Sequence, residues 1–283
     1  MGLRIAGVQF HCTPEKSRNL SKALELGDLA AEEGARIICF QELFQTHWFP
    51  CQTDSESKEL AEPIPGPTTD TLSEAARRWG AVVVAPLYER VDGGRGFNSA
   101  VVLDSQGEIL GQYRKVHVPH FSLWEERSYF ESGDLGFPVF ETEFGRIGVQ
   151  ISWDVFFPEG MRALALAGAQ VIFTPTAAAF ASQVRWETVL KAHAITNGLY
   201  VLRVNRVGSE THQDFYGQSF CSDPNGELLG APTGLHDGVV LAEVDLDAIE
   251  AIRQQWGYLK DRRPETYIPL VENAKDPKGN PTT

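Results

Sequence analysis

Residues 145–160 place a short polar turn between an apolar run and a segment rich in Ala and Leu. The apolar run at 146–151 predicts a buried strand, and the composition of 161–169 favours a helix. Pro158 stands where that helix would begin, a position that proline favours. A strand that turns sharply into a helix exposes one side chain at the open edge of a sheet, where backbone N–H groups also point. This geometry suits a nucleophile with an anion-stabilising pocket, in the turn that holds Ser152, Trp153 and Asp154.

The length and charge of the chain limit the classes of function to consider. With 283 residues, of which 42% are hydrophobic, the chain can form a large core, and no linker divides it. We therefore predict one domain over residues 1–271 and a polar tail at 272–283. The formal net charge of −13 argues against a nucleic-acid partner.

Location and metal content can also be anticipated from composition. No apolar run reaches the length of about 18 residues that a membrane-spanning helix needs, so we expect no membrane partner. The N-terminal residues lack the features of a signal peptide, and we expect a cytoplasmic protein. The four cysteines lack the paired spacing of a zinc site, so we expect reduced thiols and no metal.

The hydrophobic pattern alternates between strand and helix signals, and hairpin signals interrupt the alternation. We predict strands at 3–10, 35–42, 81–87, 98–104, 108–114, 146–151, 169–175, 200–205, 219–222 and 239–244. We predict helices at 15–34, 69–79, 161–169, 185–197 and 246–255, and an extended segment after Pro264. This pattern predicts an α/β fold in which helices cover two sheets on the outside.

Two segments show little periodicity and are predicted to be irregular. Residues 45–68 are rich in Pro, Thr, Ser and acidic residues and predict a surface excursion near the site. Residues 115–136 contain several aromatic residues and predict a long functional loop. We expect the loop histidines His117 and His120 to be solvated.

The segment 145–160 resembles the nitrilase superfamily, the carbon–nitrogen hydrolases that attack amides, nitriles and N-carbamoyl groups. The family pattern is Gly-x-x-x-Cys-x-Asp followed by an aromatic-Pro-Glu turn. The matching residues are Gly148, Trp153, Asp154, Phe157, Pro158 and Glu159. The chain departs from the pattern at Ser152, where the family has cysteine. The resemblance extends from the first strand to about Tyr267 and implies a four-layer α-β-β-α sandwich.

Further segments resemble the family and imply roles for particular residues. The segment 40–44 matches the part that carries the general base, which implies this role for Glu42. The segment 113–117 matches the part that carries the catalytic lysine, which implies this role for Lys115. The loop at 124–130 matches the part that holds a further glutamate, and its flanking aromatic residues favour Glu126 over Glu125.

These residue types suit the cleavage of an amide or nitrile. A base takes the proton of the nucleophile and later activates water, while a cation and a backbone N–H stabilise the developing charge. We expect Lys115 to be protonated and the N–H of Trp153 to be the second donor. Taken alone, Glu42 and Lys115 are better explained as a structural ion pair, whereas together with the turn at 152 they favour catalysis. We expect Asp154 to cap the following helix.

The serine at position 152 leaves three explanations open. A serine hydroxyl is far less acidic than a thiol, whose pKa is about 8.5, and a lone carboxylate is a poor base for activating it. The chain could be an engineered Cys→Ser variant, a natural member that only binds a metabolite or partner, or a working serine enzyme. The other catalytic residues are intact, which favours the first explanation and predicts a nearly inactive chain.

The segment of Trp48, Phe49, Cys51 and Gln52, with the segments 129–137 and 254–264, is similar to the N-carbamoyl amide hydrolases. Among the hydrolases of this family, the chain therefore resembles that class most, particularly the N-carbamoylputrescine amidase group. That group has a longer, acid-rich insertion after Pro175, whereas 176–185 is short and apolar here. We therefore expect a neutral or aromatic acyl group, or an anionic N-carbamoyl amino acid held by Arg185. The predicted substrate-binding residues are Trp48, Trp124, Trp153, Thr176, Ala177 and Arg185. A nitrilase and a catalytically dead binding protein are the alternatives.

No cofactor is implied by these motifs. The expected partner is a small amide, ureido or nitrile substrate. The resemblance further implies a homodimer or a larger homo-oligomer, with the C-terminal segment at the interface.

Overall fold

The computed structural model describes residues 2–94, 96–180 and 182–271, so the predicted tail at 272–283 lies outside the described residues. Within these ranges the strands are β1 (Leu3–Gln9), β2 (Ile37–Phe40), β3 (Val82–Arg90), β4 (Gly96–Leu103), β5 (Ile109–Arg114), β6 (Val139–Thr142), β7 (Gly145–Val149), β8 (Val171–Thr176), β9 (Tyr200–Asn205), β10 (Val207–Glu210), β11 (Gln213–Tyr216), β12 (Phe220–Ser222) and β13 (Gly238–Val244). The α-helices are α1 (Lys16–Glu32), α2 (Pro67–Trp79), α3 (Pro158–Leu166), α4 (Gln183–Asn197), α5 (Ala248–Trp256) and α6 (Ile268–Val271).

Two sheets form the centre of the fold. The first has the strand order β13-β1-β2-β3-β4-β5, and the second has the order β12-β9-β8-β7-β6. In each sheet the middle strands are parallel, β1 to β3 in the first and β7 to β9 in the second. Antiparallel strands flank them on both sides, and β10 and β11 form a separate ribbon.

Three buried clusters define the layers. Alternation along a strand sends successive side chains to opposite faces of a sheet. Ile5 on the inner face of β1 therefore shares a cluster with Phe173 of the second sheet, and Val8 packs outward with Leu72 of α2. Leu164 and its neighbours in α3 and α4 cover the outer face of the second sheet. This arrangement confirms the predicted four-layer α-β-β-α sandwich.

The predicted elements agree with most of the observed ones, with differences at short strands and near the C-terminus. The pattern missed β6, β10 and β11, which have only four residues each. The extended segment predicted after Pro264 is wrong. Residues Pro264–Thr266 form a 3₁₀ turn that is followed by α6. The N–H groups of Thr266 and Tyr267 donate hydrogen bonds to the carbonyls of Arg263 and Pro264, as a turn requires. Across the described ranges, no helix is both long and apolar enough to cross a membrane.

Candidate active site

The residues predicted to be catalytic follow the ends of strands from both sheets. Glu42 comes two residues after β2, and Lys115 directly follows β5, both in the first sheet. Ser152 comes shortly after β7 of the second sheet and begins a 3₁₀ turn, Ser152–Phe156. Glu126 begins a further 3₁₀ turn in the loop after β5. The site therefore draws on both sheets and on the predicted functional loop.

Glu42, Lys115 and Glu126 form a buried carboxylate–lysine cluster. The Lys115 Nζ atom donates to Glu42 Oε1 over 2.9 Å and to Glu126 Oε2 over 2.7 Å. All three side chains are fully buried. Asn98 Nδ2 also donates to Glu42 Oε1, over 2.8 Å. These contacts hold the two carboxylates on one ammonium group, away from water.

The charges in this cluster shift one another's proton affinities. Burial alone would lower the pKa of Lys115, but the neighbouring carboxylates of Glu126 and Glu42 outweigh it and raise the pKa above its usual range. Lys115 is therefore protonated at neutral pH. Burial raises the pKa of Glu126 to about 7, against the opposing effect of Lys115. The cluster thus holds one firm cation and one carboxyl group that titrates near neutral pH.

Two carboxylate oxygens of the cluster face no protein donor. Glu42 Oε2 and Glu126 Oε1 are buried and have no hydrogen-bond partner among the described residues. A buried oxygen without a donor is costly, and such groups are rare in folded proteins. Glu42 Oε2 is therefore available to accept a proton from a reacting group.

Ser152 adopts a strained conformation. Its φ is +48°, in the left-handed region that residues with a side chain seldom occupy. Strain of this kind costs on the order of 1–3 kcal/mol and persists where the surrounding structure enforces it, often at functional sites. Asp154 N bonds to the Ile151 carbonyl over 3.1 Å, and α3 then begins at Pro158. The sharp turn predicted between strand and helix is therefore present.

The Ser152 turn is tied to the segment that carries Lys115. Asp154 accepts hydrogen bonds from the Tyr113 hydroxyl over 2.6 Å and from the main-chain N–H of His117 over 2.8 Å. His117 Nδ1 lies 2.8 Å from the same carboxylate. Tyr113 and His117 stand two residues before and two residues after Lys115.

These contacts correct two expectations. The prediction that Asp154 caps α3 is wrong, because the N-cap is Phe157 and no side chain caps this end. The prediction that His117 is solvated is also wrong, because its ring stacks on Phe157 with the centroids 3.7 Å apart. His120 is half exposed beside Glu125. The position of Asp154 shortly before α3 suggested a helix cap. Its hydrogen-bond donors instead come from β5 and from the loop that follows β5.

Arg206 is a residue that the sequence analysis missed. Its guanidinium is fully buried and donates to the main-chain carbonyls of Glu42 over 3.0 Å and Leu43 over 2.9 Å. It also donates to the Thr46 carbonyl and pairs with Glu210 over 2.6 Å. Arg206 directly follows β9, a strand whose residues are all buried, and an arginine at the end of a predicted strand was the signal that could have pointed to it.

The predicted substrate-binding residues fall into two groups. Trp48 and Ala177 are buried in one apolar cluster with Leu43, and Trp124 packs against this cluster with its ring 6.5 Å from that of Trp48. Three others have a different placement. The main-chain carbonyl of Thr176 accepts a hydrogen bond from the N–H of Arg206. Trp153 is half-buried and its ring packs against Phe121. Arg185 is exposed at the start of α4.

A cavity of about 540 Å³ opens beside Trp48. Its wall includes Glu210, the partner of Arg206, and the side chains of His47, Asp54 and Gln213. No group of three or more His, Cys, Asp or Glu side chains in the described part of the chain is arranged to hold a metal ion.

Comparison with known proteins gives consistent matches over most of the chain. A model of the family described as carbon-nitrogen hydrolase matches residues 4–254. An N-carbamoylputrescine amidase from Solanum lycopersicum is 38% identical over 284 residues, which cover 94% of each chain. A nitrilase from Pyrococcus abyssi is 38% identical over 257 residues, covering 90% of this chain and 94% of that protein. The crystal structure of a carbon-nitrogen hydrolase from Helicobacter pylori G27 superposes with a TM-score of 0.92 at 30% identity, covering 96% and 99% of the two chains.

Proposed function

Because the chain belongs to the carbon–nitrogen hydrolase family, we propose that its site is built to hydrolyse a linear amide or an N-carbamoyl amide with release of ammonia. The observation that carries the proposal is the buried carboxylate–lysine cluster, together with the bonds that join both flanks of Lys115 to the turn of Ser152. Lys115 supplies a buried positive charge, and Glu42 offers an oxygen that receives no hydrogen bond from the described part of the chain. Asp154, in the same turn as Ser152, bonds to the residues two before and two after Lys115, which supports a shared site.

The reaction proceeds in two halves when a thiol occupies position 152. The sulfur attacks the carbonyl carbon while Glu42 accepts its proton, and Lys115 and the N–H of Trp153 stabilise the oxyanion. The C–N bond then breaks, and the leaving nitrogen takes the proton from Glu42 and departs as ammonia. Glu42 next deprotonates a water that attacks the thioester, and the acid leaves as the thiol is restored.

We propose that Ser152 stands where the parent enzyme has cysteine, which makes this chain nearly inactive. A serine hydroxyl needs a stronger base than a carboxylate, and the protonated Lys115 cannot provide one. The intact cluster of Glu42, Lys115 and Glu126 supports a replaced nucleophile rather than a site that has lost its function.

Ammonia release from a panel of amides, ureido acids and nitriles tests both proposals. Ser152→Cys is expected to raise the rate by on the order of 10³-fold or more, since loss of a nucleophile has effects of at least this size. Ser152→Ala is the matched control and should stay at the level of the unchanged chain. The same activity in all three proteins would reject Ser152 as the nucleophile position.

Nitrile hydrolysis is the second candidate. The nitrilase from Pyrococcus abyssi is 38% identical to this chain, and attack on a C≡N carbon needs the same nucleophile, base and cation. The Ser152→Cys protein is given a nitrile and, separately, the corresponding amide. Ammonia release from the nitrile supports a nitrilase, and ammonia release from the amide alone supports an amidase. Reversible binding without turnover of either would instead support a binding protein.

We further propose that the chain forms a homodimer or a larger homo-oligomer. Large hydrophobic side chains are exposed beside a cavity of about 720 Å³ that α3 and the C-terminal residues line. They are Leu166, Tyr258, Tyr267 and Leu270. Exposed apolar patches of this kind mark interaction surfaces. Light scattering measures the mass, and a monomer at micromolar concentration would reject the proposal.

A further inference from the structure

Asp154 has no place in the reaction described above, yet it is the most highly bonded carboxylate near the Ser152 turn. It is fully buried and receives hydrogen bonds from Tyr113 and from the main chain and ring of His117. Taking a carboxylate out of water costs several kcal/mol unless donors surround it. A simple helix cap would not need these distant donors.

The donors come from the two sides of Lys115. Burial and the neighbouring Asp154 raise the pKa of Tyr113 well above its usual range, so its hydroxyl stays protonated and donates a hydrogen bond to Asp154 Oδ2. His117 is held by two contacts to Oδ1, and its ring lies on Phe157 at an interplanar angle of 4°. Both flanks of Lys115 are therefore joined to the turn that begins at Ser152.

Two further bonds fix the main chain of Lys115 between β4 of the first sheet and the loop that contains Gly133. The Lys115 N–H donates to the Asn98 carbonyl and its carbonyl accepts from the Gly133 N–H, both over 2.8 Å. Asn98 also binds the side chain of Glu42. Lys115 is thus held on the side of the first sheet. Asp154 connects this assembly to the turn that follows β7 of the second sheet, and Arg206, which follows β9, connects it through the main chain of Glu42.

The strain at Ser152 requires a restraint from outside the turn. A left-handed residue with a side chain relaxes unless tertiary contacts prevent it. Asp154 is two residues from Ser152 and lies in the same 3₁₀ turn, so its buried bonds act on that conformation directly. Loss of these bonds would let the turn relax and move away from the lysine.

We infer that Asp154 is a positioning residue whose carboxylate holds the Ser152 turn at a fixed place relative to the Lys115 ammonium group. The inference rests on the proposed function only in taking position 152 as the nucleophile position. Asp154 acts through Tyr113 and His117 and touches no reacting atom.

The test measures the thiol introduced by Ser152→Cys, whose reactivity depends on its distance from Lys115. Its alkylation by iodoacetamide is followed against pH by mass spectrometry of the peptide that contains position 152, with Cys51 as the internal reference. Asp154→Ala in this background should raise the pKa of the introduced thiol by about one unit and slow alkylation about tenfold at neutral pH, since only the thiolate reacts. Tyr113→Phe removes one bond and no charge, and should give a smaller rise.

The direction of the change separates positioning from a simple charge effect. A nearby carboxylate raises a thiol pKa, so removing Asp154 as a mere charge would lower it. A lower or unchanged pKa in folded Asp154→Ala protein would overturn the inference. If that variant does not fold, Tyr113→Phe decides, and an unchanged profile there overturns it. Absence of ammonia release from a Ser152→Cys protein with this alkylation response would reject the proposed function and leave the positioning role in place.

Discussion

The guanidinium group of Arg206 donates to the main-chain carbonyls of both Glu42 and Leu43, over 3.0 and 2.9 Å. Leu43 has a φ of +50°, so Arg206 binds the chain where it bends sharply after β2. The carboxylate of Glu210 pairs with this guanidinium and also accepts the N–H of Trp48. Arg206 therefore supports the turn that carries Glu42.

We expect Arg206→Met to lower the free energy of unfolding by about 3–5 kcal/mol, because it leaves the buried Glu210 carboxylate unpaired. Urea unfolding measures the change. The double variant Arg206→Met with Glu210→Gln should lose less than the sum of the two single variants, since no unpaired charge remains. Strictly additive losses would show that the pair is not coupled.

Lys115→Met should destabilise the protein most at alkaline pH. It removes the cation between Glu42 and Glu126, and the two buried carboxylates then repel each other until they bind a proton. The stability of the Lys115→Met variant should therefore recover as the pH falls. When Lys115→Met is added to the Ser152→Cys protein, ammonia release should disappear. Urea unfolding at pH 5.5 and 8 measures the first effect. The surface variant Lys191→Met, which removes an exposed pair with Glu187, should change stability by less than about 0.5 kcal/mol at both values.

Glu126 should make the stability depend on pH in the weakly acidic range. Its pKa in the folded protein is about 7, above the ordinary value of 4.5, so the folded chain binds more protons between these values. This difference in proton binding stabilises the folded chain fully when the pH is below the ordinary pKa of 4.5. The stabilisation is lost as the pH rises towards the folded-state pKa of about 7. We expect Glu126→Gln to flatten this part of the profile, measured by urea unfolding from pH 4 to 8. The neighbouring variant Glu125→Gln should keep the slope, and an equal slope in both variants would contradict the assignment.

Gly7 tests how closely the two sheets pack. A Cβ atom at this position of β1 would lie 2.6 Å from Val204 Cγ2 and 2.8 Å from Leu202 Cδ2, both in the opposite sheet. We expect Gly7→Ala to lower the free energy of unfolding by about 1–3 kcal/mol through overpacking. Gly238→Ala makes the same change in β13, where a Cβ would meet no atom within 4 Å. Thermal or urea unfolding should therefore show little change for this control.

The sequence was sufficient to predict the layers because strand and helix periods were clear in the long elements. It also identified Glu42, Lys115 and Glu126 as candidates through their motifs, and the structure brings these three together. The roles of Asp154 and Arg206 could not be read in the same way. Their partners are far along the chain, and a bond to a main-chain carbonyl leaves no mark on the partner's residue type. The strands β6, β10 and β11 were too short to produce a readable period.

The two sheets contribute different chemical groups, which has a consequence for fragments of this protein. A break between β6 and β7 would leave Glu42 and Lys115 on one piece and the residue at position 152 on the other. Neither piece alone would hold all the residues of the proposed catalytic centre. Turnover regained on mixing such pieces, with cysteine restored at position 152, would report reassociation of the halves, in which β13 rejoins the first sheet and β6 rejoins the second.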